Sequence, residues 1–219
     1  MKFAVVLSGC GVYDGSEIHE AVMTLLAIDK NNCTYEIFAP NIMQYHVINH
    51  LTGEVMNEKR NALIESARIA RGKIKALSEY KPENYDGLIF PGGFGAAKNL
   101  CSYAIDGADM KVDRVVEKAV KETHAAGKPI GALCIAPVLI TKILGNVEVT
   151  IGNDNETAGV IEKLGGAHRT AGNTDVVIDY KNKVVTTPCY MLCTRISEIA
   201  ESADKLVKAM VKIAGNNQK

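Results

Sequence analysis

Short apolar, β-branched runs recur along the chain at Phe3–Leu7, Tyr35–Ala39, Gly87–Phe90, Ile130–Leu133, Val147–Ile151, Val176–Ile178 and Val184–Thr187. Runs of this kind suit strands buried on both faces. Between them the apolar spacing changes to a helical period over Ser16–Lys30, Arg60–Leu77, Val112–Ala126, Ile135–Leu144, Thr157–Leu164 and Ser197–Ile213. The alternation predicts an α/β fold with a mostly parallel sheet covered on both faces by helices, because parallel neighbours need crossover connections and these are usually helical. Tyr180-Lys181-Asn182-Lys183, set between two apolar runs, predicts an appended hairpin over 175–185. The stretch 41–81 is too long for a simple connection, and Leu63, Ala67, Ala70, Ile74 and Leu77 give it a helical pattern. It is expected to be a helical insertion. With no internal repeat or Pro/Gly/Ser-rich linker, residues 1–219 are expected to form one domain.

Composition narrows the class without naming an activity. The 219 residues carry 25 Lys+Arg against 25 Asp+Glu, a formal net charge of zero, with 47% hydrophobic and 23% charged residues. These values fit a globular chain able to bury its own core, and they give no basic tail for nucleic acid. The longest nearly apolar stretch, Ile130–Thr141, falls short of the roughly 20 residues that span a bilayer. Neither a nucleic acid nor a membrane is therefore expected as a partner. Met1–Leu7 reads as a strand and not as a signal peptide, so the expected compartment is the cytoplasm. Six cysteines in such a chain are expected to be reduced thiols. Cys189 and Cys193 have no second pair and no neighbouring histidine, so no metal site is expected.

The residues richest in chemistry are Lys128-Pro129-Ile130-Gly131-Ala132-Leu133-Cys134-Ile135-Ala136-Pro137. An apolar strand runs into a cysteine and then directly into a helix, the pattern of a nucleophile elbow, with small Ala132 and Ala136 two positions to either side. A thiol at a helix N-terminus feels the positive end of the dipole, which is expected to favour thiolate. The alternative is a buried small hydrophobe, the commonest fate of a free cysteine.

Pro91-Gly92-Gly93-Phe94-Gly95 follows the third strand. Its consecutive glycines let the backbone turn sharply, and the N–H groups of Gly92 and Gly93, with that of Ile135, are expected to form an oxyanion site. The first strand leads into Ser8-Gly9-Cys10-Gly11-Val12-Tyr13-Asp14-Gly15-Ser16-Glu17-Ile18-His19-Glu20. Here Ser16 is a candidate helix cap, and His19 or Glu20 can serve the first turn. Glu17 is the expected acid–base partner of Cys134. His19 is expected to point elsewhere, because residues i and i+2 do not share a helix face. Cys10, Tyr13 and Thr187 are further expected site-lining positions.

A glycine-rich turn, a cysteine elbow and an early helix-starting glutamate, in this order, resemble the PfpI superfamily of the class I glutamine amidotransferase-like fold. The sequence most resembles the branch named for enhanced lycopene biosynthesis, ElbB, at Gly11–Glu20, at His46–Glu54 and Glu65–Gly72 in the insertion, and at Pro91–Leu100. The resemblance implies a flavodoxin-like three-layer sandwich, often dimeric, in a group that includes glutathione-independent glyoxalases, proposed deglycases, peptidases and amidotransferase domains. It implies Cys134 as nucleophile, Glu17 as its acidic neighbour and Gly93 with Ile135 as the oxyanion site. Peptidase-like and amidotransferase members complete the site with a histidine, directly after the cysteine or at the end of a late strand. In this chain those positions hold Ile135 and Thr187-Pro188-Cys189, which weakens any reading that must protonate an amine leaving group. The expected activity is conversion of small α-oxoaldehydes to 2-hydroxy acids without a cofactor. The alternatives are a redox or carbonyl-stress sensor using Cys134, and a cysteine hydrolase or amidotransferase. His168 is a weak candidate for a proton carrier, and a homodimer is expected.

Overall fold

The computed structural model describes residues 1–216. Its strands are β1 (Lys2–Val6), β2 (Thr34–Ala39), β3 (Ile74–Ala76), β4 (Gly87–Phe90), β5 (Ile130–Leu133), β6 (Glu148–Val149), β7 (Ala167–His168), β8 (Val177–Asp179) and β9 (Val184–Thr187). Its helices are α1 (Ile18–Lys30), α2 (Ala62–Ile69), α3 (Phe94–Lys98), α4 (Tyr103–Asp106), α5 (Arg114–Ala125), α6 (Ala136–Leu144), α7 (Asn155–Lys163) and α8 (Ile196–Asn216).

Seven strands form one sheet in the order β3-β2-β1-β4-β5-β9-β8, parallel throughout except for the β8–β9 hairpin. Alternating side chains of β1 divide the core. Phe3, Val5 and Leu7 pack with Ala27 and Ile28 of α1 and Leu206 and Val207 of α8. Ala4 and Val6 belong to the opposite face, with Val116 and Val120 of α5 and Leu139 of α6. Each large side chain so buried contributes roughly 1.5–3 kcal/mol of transfer free energy. The result is the expected flavodoxin-like α/β fold: two helical layers around a mostly parallel sheet.

Three expected elements differ. The Arg60–Leu77 helix ends at Ile69, because Arg71 and Gly72 take left-handed backbone (φ 52° and 79°). Ile74–Ala76 then extends the sheet beside β2, so Ile74 serves an edge strand rather than a helix stripe. Val147–Ile151 does not join the main sheet: its β6 portion pairs with β7 as a separate two-stranded ladder. The glycine turn expected after β4 continues directly into α3.

The strand order reverses between β1 and β4. Strands β2 and β3 lie to one side and β5 to the other, so the connections after β1 and β4 diverge and leave a crevice at the strands' C-terminal ends. The loops that follow β1, β4 and β5 meet there.

Candidate active site

Chain direction changes abruptly after β5. Cys134 sits between Leu133 and the first residues of α6 with φ 59°, a left-handed conformation that costs an L-residue roughly 1–2 kcal/mol. The neighbouring strand holds the turn: the Cys134 N–H donates to the Thr187 carbonyl at 3.0 Å. Space around the sulfur is limited by Gly92, where an added Cβ would lie 2.5 Å from the Cys134 Cβ. Only glycine fits there. Gly93 is equally constrained, with φ 95° and its missing Cβ position 2.3 Å from the Glu17 nitrogen. The N–H groups of Gly93 and Ile135 act on the Cys134 sulfur as donors that favour its ionised form.

The carboxyl group that acts on the thiol is that of Glu20: its Oε2 and the Cys134 sulfur lie 2.7 and 3.0 Å from the same missing Cβ position of Gly92. Helix α1 explains the choice. Glu17 is its N-cap, and its side chain accepts the Glu20 N–H at 2.6 Å. One turn further on, Glu20 shares the buried face with Thr24, Ala27 and Ile28, and it has no solvent exposure. Its two oxygens accept backbone N–H groups, from Gly92 at 2.9 Å and from Tyr190 at 3.2 Å. Burial, followed by the charge of Glu17, pushes its pKa up to about 8 despite those two donors.

Cys134 is also raised, well above the ordinary thiol value, by burial first and by Glu20 second; the Gly93 and Ile135 N–H groups act in the opposite direction. This corrects the expected thiolate. A helix terminus contributes about 0.3–1 kcal/mol, whereas full burial disfavours an ionised group by about 4 kcal/mol or more. Desolvation wins. The resting pair is therefore a thiol beside a carboxylic acid near neutral pH, and it releases its first proton near pH 8.

The other expected site residues divide clearly. Glu17 lines the same cavity as Cys134, but the carboxyl that acts on the thiol is that of Glu20, one turn away. Gly92 directs its N–H to Glu20, leaving Gly93 and Ile135 as the donors at sulfur. Thr187 holds the elbow through its carbonyl, while its buried hydroxyl oxygen has no hydrogen-bond partner among the described residues. Cys10 and Tyr13 are not among the residues lining the cavity. Cys10 lies instead in the field of Arg68, Glu65 and Asp14, and exposed Tyr13 packs on His50 with ring centroids 5.0 Å apart. His168 belongs to β7, where its Nε2 accepts the Ile151 N–H at 3.4 Å.

Sequence reasoning missed Glu20, Tyr190 and His19. A signal existed for Glu20: an acid seven and eight residues ahead of Ala27 and Ile28 falls on the buried stripe of its helix. Tyr190 lines the cavity, and its hydroxyl is 2.7 Å from His19 Nδ1, which also lies 3.9 Å from Glu17 Oε1. The sequence separation of His19 and Tyr190 hides this contact. Among the described residues no cluster of His, Cys, Asp and Glu is arranged to hold a metal ion, and no helix is long and apolar enough to cross a membrane.

A human relative, Glutamine amidotransferase-like class 1 domain-containing protein 3, mitochondrial, is 48% identical over 98% of this chain and 84% of its own length. The crystal structure of an isoprenoid biosynthesis protein with an amidotransferase-like domain from Ehrlichia chaffeensis superposes with a TM-score of 0.91 at 37% identity, covering 97% of this chain and 99% of that one. Glyoxalase III from Candida albicans superposes with a TM-score of 0.60 at 13% identity over 96% and 97% of the two chains, which shows the shared fold alone. The cytoplasmic expectation is overturned: the human relative and those from rat and zebrafish are all named as mitochondrial proteins. A strand-like N-terminal pattern carries no information on the compartment. The family model for DJ-1/PfpI matches residues 12–187. With the β1 loop, the glycine turn and the Cys134 elbow all inside that span, the chain belongs to the DJ-1/PfpI family.

Proposed function

We propose that the protein is a cofactor-independent glyoxalase-type enzyme that converts α-oxoaldehydes to 2-hydroxy acids through Cys134. The observation that carries this reading is the buried Cys134–Glu20 pair, with the Gly93 and Ile135 N–H groups acting on the sulfur and no histidine among the described residues lining the cavity. Loss of the first proton from the pair leaves one proton shared between sulfur and carboxylate. As the S–C bond forms on the aldehyde carbon, that proton passes to the carbonyl oxygen and gives a hemithioacetal, its developing oxyanion near the two N–H donors. The Glu20 carboxylate then removes the C–H proton of that carbon and returns it to the adjacent carbonyl carbon through an enediol. The former aldehyde carbon is oxidised to a thioester and its neighbour is reduced to an alcohol. Water then cleaves the thioester, so glyoxal plus water becomes glycolate. Tyr190, whose hydroxyl is held by His19, lines the same cavity and is a further group for exchanging protons with solvent.

An aldehyde has no leaving group to protonate, so this chemistry tolerates the missing histidine better than amide hydrolysis does. A redox sensor would favour an accessible, low-pKa thiolate, whereas Cys134 is buried and raised. The test is appearance of glycolate from glyoxal, or lactate from methylglyoxal, without glutathione. Cys134→Ser should abolish it. Unchanged turnover in that variant, or no turnover by the wild type, would refute the reading.

A further inference from the structure

Size and charge in the cavity speak to the substrate. Its volume is about 590 Å³, within the roughly 300–1,000 Å³ of sites that enclose drug-sized molecules. Glyoxal and methylglyoxal would leave most of it empty. Phe94, Ile105, Ile135 and Val160 give it apolar walls, and its lining includes two acidic side chains, Glu17 near the thiol and Glu156 in the first turn of α7. No Lys, Arg or His is among its lining residues within the described chain. A carboxylate or phosphate entering this space would lose water, find no cation among the described lining residues and meet like charge.

We propose that the Cys134 cavity selects uncharged α-oxoaldehydes whose second carbon carries an apolar group of about aryl size, and that Glu17 and Glu156 exclude anionic counterparts. This rests on the glyoxalase reading for its chemistry, but the selection itself belongs to the cavity and can be measured separately. Phenylglyoxal is the matching probe: with one water it gives mandelate, the aldehyde carbon oxidised and the ketone carbon reduced. 4-Carboxyphenylglyoxal, which the same steps with one water would convert to 4-carboxymandelate, is the anionic counterpart.

The experiment has two arms. In the first, site-resolved mass spectrometry follows alkylation of Cys134 by iodoacetamide and iodoacetate at low ionic strength, each rate divided by that of a free thiol at the same pH. The normalised rate for iodoacetate should be lower by about tenfold or more. Glu156→Lys should narrow that gap at least threefold, and Glu156→Gln should narrow it by less. Equal normalised rates, or a gap unaffected by Glu156→Lys, would overturn the charge selection. In the second arm, kcat/KM should be about tenfold higher for phenylglyoxal than for glyoxal, and at least tenfold lower for 4-carboxyphenylglyoxal than for phenylglyoxal. Turnover of 4-carboxyphenylglyoxal equal to or above that of phenylglyoxal would overturn the charge selection while leaving the reaction intact. Equal kcat/KM for phenylglyoxal and glyoxal would remove the size selection. If no aldehyde is turned over but the alkylation gap and its response to Glu156→Lys hold, the glyoxalase reading fails and the charge selection stands.

Discussion

Two cysteines follow parallel strands that border the same crevice: Cys10 after β1 and Cys134 after β5. Both have glycines with positive φ close by, Gly9 and Gly11 for one and Gly93 for the other. The surroundings differ. The insertion closes over the Cys10 loop, where Ser66 Oγ accepts the Gly9 N–H at 2.9 Å and Asp14 and Glu65 add negative charge. At Cys134 the glycine turn brings two N–H donors to sulfur, Glu20 provides a carboxyl partner, and the cavity opens beside them. A strand end supplies the place for chemistry; converging backbone donors and a proton partner supply the chemistry.

Removing each thiol breaks the comparison most severely. Cys134→Ser is expected to reduce turnover by at least about 1,000-fold, whereas Cys10→Ser should remain within about twofold of wild type, both read in the glyoxal assay. A large loss in the Cys10 variant would mean that the wrong strand end has been identified.

The next contrast lies within one turn of α1. Glu20→Gln should lower kcat by about 100- to 10,000-fold, because it removes the base. Glu17→Gln should retain most activity and move the pH profile instead. The Glu17 charge helps raise Glu20, so removing it should shift the rising limb of kcat/KM from about 8 toward lower pH. An upward shift would contradict the assigned coupling.

Stability provides a smaller effect. Glu20 has its pKa raised from 4.5 to about 8 in the fold, so between these values the native state binds more protons than the unfolded chain. Its contribution is therefore favourable below about pH 4.5 and is lost as pH rises through about 8, on the order of a few kcal/mol in total. Thermal melts of the wild type should lose stability across this window, and Glu20→Gln should flatten that part of the slope. An equal slope in both proteins would show that Glu20 is not held as an acid.

Much of this arrangement was legible in the chain itself. Strand-to-helix continuity around Cys134 and the Gly92-Gly93 pair marked the elbow and its donors, because tight turns restrict residue type locally. Glu20 was harder. Glu17 and Glu20 are both acids near a helix start, and only the helix phase sends one to the cap and the other to the core. Tyr190 and His19 are joined purely by tertiary folding. Ile74 illustrates the same limit in the scaffold, since its helical spacing was overridden when β2 offered an unpaired edge.

The central claim is that Cys134 and Glu20 share one proton in the reactive state. It is tested most directly by the pH dependence of Cys134 alkylation with iodoacetamide in the wild type and Glu20→Gln. The wild-type rate should rise with a midpoint near 8, the value at which the pair loses its first proton. In Glu20→Gln the thiol must ionise alone under its burial penalty, so the midpoint should move upward. A midpoint that stays in place or moves downward would show Glu20 to be only a repelling neighbour, and the shared-proton account would fail.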